Sequence, residues 1–122
     1  MNISDAESTV MEVLWQRSPL GADEVVAALA GAQDWQEATI KTLLNRLLKK
    51  GAISAEAEGR RYLYSPVLTR EAWLTQTSRG LLDRLFGGRV APLVAHFGEQ
   101  KALTRKDIAE LRALLEKLDG QR

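Results

Sequence analysis

The stretch EATIKTLLNRLLKKGAI, Glu37 to Ile53, decides how this chain is read. Its apolar residues Ile40, Leu43, Leu44, Leu47 and Leu48 follow the i, i+3, i+4, i+7, i+8 spacing of an amphipathic helix. The opposite face carries Thr39, Thr42, Asn45, Arg46 and Lys49, with Lys41 at its border and Lys50 just beyond. A merely solvated face tends to alternate Glu with Lys for i,i+4 pairing, yet no acid stands between Glu37 and Lys50. A helix seated in a DNA major groove needs an apolar side to anchor it, short polar groups for base edges and cations for phosphates. Thr39 and Thr42 suit thymine methyls or base-edge hydrogen bonds, Asn45 suits adenine, and Arg46 suits guanine or phosphate. Lys41, Lys49 and Lys50 suit phosphates. Taken alone, the helix does not separate this reading from an ordinary solvated surface.

Its neighbours tip the balance. Upstream, SDAESTVMEVLWQRSP predicts a first helix, with Ser4 and Glu7 as a capping box and Val10, Val13, Leu14 and Trp15 as the buried stripe. Ser18-Pro19 ends it, Leu20 is a short extended segment, and GADEVVAALAG predicts a second helix closed by Gly31. Downstream, Lys49-Lys50-Gly51 ends the opening helix and the apolar period changes from 3.6 to 2. ISAEAE, the turn EGR and RYLYSP predict a hairpin with strands Ile53–Glu58 and Arg61–Ser65. Arg60 and Arg61 sit beside its tip, placed for backbone or minor-groove contact; an exposed turn is the plainer alternative. Helix, short strand, helix, helix, hairpin is the order of a winged helix-turn-helix. For Trp15, Trp35 and Trp73, core packing is preferred to nucleobase stacking.

From Thr69 onward every signal is helical. TREAWLTQTSRGLLDRLFGG, VAPLVAHF and LTRKDIAELRALLEKL predict three helices, the last capped by Thr104 with Asp107 at its third position. Ile108, Leu111, Leu115 and Leu118 in the last helix have coiled-coil seam spacing. So short a segment cannot easily bury Trp73, Leu74, Leu81 and Leu85 together with that seam. A second copy relieves the problem; folding back onto the head in a monomer is the alternative. The expected fold is therefore mainly α with a small β-hairpin wing. Residues 1–68 form a winged-helix DNA-binding domain and 69–122 a three-helix dimerisation domain.

Composition narrows the function. Hydrophobic content of 45% and charged content of 27% describe a folded chain. The net charge of +1 conceals a partition: residues 1–35 are strongly acidic, whereas 36–65 hold Lys41, Arg46, Lys49, Lys50, Arg60 and Arg61 against three acids. A concentrated basic middle points to an anionic partner. There are no cysteines, and His96 is the only histidine, so thiol chemistry and transition-metal sites are not expected. With no Gly-rich phosphate loop either, the expectation is a cofactor-free binding protein and not an enzyme. No apolar run reaches the ~20 residues of a membrane span, which predicts a cytoplasmic location.

Several motifs carry a family resemblance over essentially the whole chain. ISDAE with VMEVLW, then DW-x-x-x-TIKTLLNRL-x-KKG, EGRRYLYSP, LLDRLFGG, PLVAHF and LTRKDIAELRALL resemble the penicillinase-repressor (BlaI/MecI/CopY) family. The resemblance implies a homodimeric winged-helix repressor of palindromic operators with TACA/TGTA-like half-sites. It also implies a link to antibiotic resistance, through a membrane-bound sensor protease that answers β-lactams and leads to repressor cleavage. The C-terminal cysteine cluster of the copper-responsive branch is missing, so copper sensing is not implied. Gln36-Glu37-Ala38 stands where relatives often have Ser-Pro-Lys. The family's cleavage site commonly has Asn before Phe; the corresponding junction here is His96-Phe97. The reading that competes with a repressor is a winged-helix module for protein–protein contact, without sequence-specific DNA binding.

Overall fold

The computed structural model describes all residues, Met1–Arg122. They divide into two compact units, Met1–Thr75 and Gln76–Arg122. The first contains α1 (Asp5–Gln16), α2 (Ala22–Leu29), α3 (Glu37–Lys50), β1 (Ile53–Glu58), β2 (Arg61–Pro66) and the start of α4 (Arg70–Leu85). The second contains the remainder of α4, α5 (Val90–Glu99) and α6 (Arg105–Asp119).

Helix α1 begins where the capping box requires. The Glu7 amide donates to Ser4 Oγ at 3.1 Å, and the Ser4 amide donates to Glu7 Oε1 at 2.8 Å. Its buried stripe is Glu7, Val10, Met11 and Leu14. Met11 thus lies deeper than Val13, which is half-buried. The helix rotates so that positions 7, 10, 11 and 14, spaced by three and four, face inward. Val25 and Leu29 of α2 and Ile40, Leu43, Leu44 and Leu47 of α3 complete the core with Ile53. All four α3 residues are at most 4% exposed, so one whole side of that helix serves the interior.

Helix α2 stops at Leu29 with Ala30 as its cap, just short of Gly31. Helix α3 starts without help, because the Gln36 side chain makes no capping bond. It ends at Gly51, whose φ of +77° is a left-handed conformation that favours glycine. The antiparallel register runs from Ile53↔Pro66 to Glu58↔Arg61, which leaves Gly59 and Arg60 as the turn. Strand β2 extends one residue past Ser65 because Pro66 still pairs with Ile53. Leu20 supplies the short extended piece: its amide and carbonyl bond to Tyr64 at 3.1 and 2.7 Å, tying the wing to the segment before α2.

The first turn of α4 belongs to the head. Trp15 and Trp73 rings lie 5.3 Å apart, and Trp15 Nε1–H donates to the Leu68 carbonyl at 2.8 Å. Arg70 reaches Glu12 at 3.0 Å. Trp35 packs against the core from its edge. The second unit is built differently. Thr104 and Asp107 cap α6 reciprocally at 3.0 and 3.1 Å. Yet α4, α5 and α6 contain no buried residue, and Leu81, Leu85, Phe97, Ile108, Leu115 and Leu118 are exposed.

Candidate nucleic-acid interface

With one side of α3 committed to the core, its other side is left to solvent. Thr39, Lys41, Thr42, Asn45, Arg46 and Lys49 are all exposed there. Ala38, Thr39, Thr42, Leu43 and Arg46 line a shallow concavity on this face. Thr42 Oγ1–H donates to the Ala38 carbonyl at 2.9 Å, which commits its proton and leaves an acceptor oxygen and a methyl. Lys41 Nζ stands 3.2 Å from Glu37 one turn earlier, but both side chains are more than half exposed, so water screens the tether. Arg46, Lys49 and Arg60 make no ion pair within the chain. Arg60 occupies the exposed hairpin turn.

Two further cations in the basic middle are engaged internally. Lys50 Nζ donates to Glu7 Oε1 at 2.6 Å and to the Asn2 carbonyl at 2.9 Å, fastening the end of α3 to the start of α1. Arg61 lies 3.7 Å from Asp23 and 3.3 Å from Glu24, both in the first turn of α2. Glu7 is 2% exposed and its Oε2 has no hydrogen-bond partner. Burial pushes its carboxyl upward. The bond from Lys50, the Ser4 amide and hydroxyl, and the Lys50 charge outweigh that effect and hold it below the usual carboxylate value. From the sequence, Glu7 reads as a cap. Its position on the 7, 10, 11, 14 stripe was the available signal that it also points inward.

The residues named for the tail separate between the units. Trp73 and Leu74 fall in the first, where the Trp73 ring rests against Trp15. Leu81, Leu85, Ile108, Leu111, Leu115 and Leu118 fall in the second, where Leu111 is half-buried and the others exposed. His96 and Phe97 are exposed on α5, their rings 5.8 Å apart. No helix is long and apolar enough to cross a membrane.

Three packed helices, a two-stranded wing and a cationic polar helix face define a winged helix-turn-helix regulator of transcription. The chain belongs to the penicillinase repressor family, whose sequence model matches residues 3–117. It is 37% identical over 114 residues to the penicillinase repressor of Bacillus licheniformis, spanning 93% of this chain and 89% of that one. It is 30% identical over 115 residues to the methicillin resistance regulatory protein MecI of Staphylococcus aureus, spanning 94% of each. Among solved structures it resembles monomeric Bacillus licheniformis BlaI in complex with the blaP half-operator. That match has 40% identity and a TM-score of 0.53 over 59% of this chain and 88% of that one. The multidrug-efflux regulator MepR of Staphylococcus aureus, at 19% identity, TM-score 0.52 and coverage of 98% of this chain and 80% of its own, shares the fold.

Proposed function

We propose that this chain is a cytoplasmic, homodimeric repressor that binds a palindromic operator and acts by occupancy, without catalysis. The observation that carries the reading is the division of α3: Ile40, Leu43, Leu44 and Leu47 fix it to the core, while its outward face offers short polar groups and unpaired cations. Thr39, Thr42, Asn45 and Arg46 read base edges in the major groove. Lys41, Lys49 and Arg60 meet phosphates. The related BlaI in complex with a half-operator supports duplex DNA as the ligand. Two copies then cover two half-sites, and operator symmetry mirrors protein symmetry.

The second unit supports dimerisation because three helices without one buried residue have no core of their own. A second copy covering Leu81, Leu85, Ile108, Leu111, Leu115 and Leu118 supplies it. Release follows from a cut at His96-Phe97 by a membrane-bound sensor protease: both residues are exposed, and the cut detaches α6 while sparing the head. Titrating a TACA/TGTA palindrome against a scrambled duplex in a mobility shift tests the central claim. Tight, salt-dependent retention of the palindrome alone is expected. Equal binding of both duplexes, or of neither, returns the fold to a protein-contact role.

A further inference from the structure

On the DNA-binding reading above, we propose that Arg61 is a positioning residue that clamps the wing to α2 and so presents Arg60 to the operator. Four observations converge on it. Its half-exposed guanidinium reaches two carboxylates of one helical turn, Asp23 at 3.7 Å and the better-shielded Glu24 at 3.3 Å, where Lys41 has only one exposed partner. Glu24 is itself held, since the same Oε1 accepts the Gly21 amide at 3.1 Å, so one side of the clamp is preorganised. Gly21 makes room for it: a Cβ there would stand 2.7 Å from Asp23 Oδ1 and 3.3 Å from Arg61 Nη1. Beside the clamp, Leu20 and Tyr64 exchange both backbone hydrogen bonds, so β2 joins the α2 segment at two points along its length.

The consequence is a division of labour between adjacent arginines. Arg60 lies in the two-residue turn with no ion pair, free to reach a phosphate. Arg61 lies at the first paired position of β2, opposite Glu58, with its charge balanced by the acids of α2. A cation already paired to two carboxylates releases few counterions when DNA binds, whereas a free one contributes about 0.9 to the salt slope. A hairpin of two strands is weakly stable alone, so a tie near its tip fixes the direction in which the turn points.

The test uses the full chain, in the free state and on operator DNA. In the free state, Arg61→Ala and Glu24→Gln each raise amide exchange of β1 and β2 near Gly59 by about two- to five-fold, the range of an exposed ion pair. Arg60→Ala leaves that exchange unchanged. On operator, Arg61→Ala in the wild-type background weakens binding. In the Arg60→Ala background it changes neither affinity, within about two-fold, nor salt slope. A further drop of about 0.9 in slope in that background makes Arg61 a phosphate ligand and overturns the proposal. So does unchanged exchange in Arg61→Ala. If the chain shows no operator preference, the DNA-binding reading fails, while exchange in the free chain still decides the clamp.

Discussion

Replacing Lys50 with Met tests what holds the C-terminal end of α3. The substitution keeps much of the aliphatic stem but removes the ammonium that lies 2.6 Å from Glu7 Oε1. Glu7 is 2% exposed and its second oxygen is already without a partner, so the variant leaves a buried carboxylate held only by Ser4. Breaking a fully buried pair destabilises by about 3–5 kcal/mol. Lys50 is 37% exposed, and solvent screening reduces this to about 1–3 kcal/mol. At a urea dependence of roughly 1 kcal/mol/M for so small a head, the unfolding midpoint falls by about 1–3 M at neutral pH and fixed protein concentration.

Acid supplies a second signature. Glu7 titrates below its ordinary 4.5 in the folded wild type. Its contribution is therefore fully present above that unfolded value and lost as pH falls through the lower folded value. Without Lys50, desolvation is opposed by Ser4 alone and the carboxyl moves upward. The variant protonates Glu7 at a higher pH than wild type, so the stability gap between the proteins narrows as pH falls from the variant's folded value to the lower wild-type one. Glu7→Gln combined with Lys50→Met should recover much of the loss, because no unpaired charge is then buried. A Lys50→Met midpoint equal to wild type at pH 7, or a gap that does not change on acidification, refutes the reasoning.

Asn45→Ala and Thr42→Ala should each reduce discrimination between operator and scrambled duplex by about 1–3 kcal/mol in paired titrations. Lys49→Ala should instead weaken both complexes alike and lower the salt slope by about 0.9. Leu111→Asp with Leu115→Asp should give a monomer in sedimentation whose head stays folded, because in the proposed dimer carboxylates at these positions lose their water. A chain ending at His96 should be largely monomeric and bind operator about 10²–10⁴-fold more weakly, each half-site now being an independent event. Unimpaired dimerisation and repression by that chain would exclude release by a cut at this junction.

Spacing, caps and chain-breaking residues identified every helix and the hairpin, and spacing the side of α3 that faces inward, because each is a local property of the sequence. The polar set Thr39, Thr42, Asn45, Arg46 and Lys49 was legible for the same reason: once the apolar stripe is located, the opposite face follows from 3.6 residues per turn. Charge destinations were not legible. Lys50 and Lys49 look equivalent in the sequence, as do Arg61 and Arg60. Only the packed head brings Glu7 of α1 to Lys50 across 43 positions, and Glu24 of α2 to Arg61 across 37. Each meeting depends on how helices and wing are docked, a property of the whole core that no window of sequence contains. Glu7 shows the difference most directly. Its role as a cap is set by the residue three positions away and its inward direction by the spacing of α1, but its charge partner is a lysine brought to it from the far end of another helix.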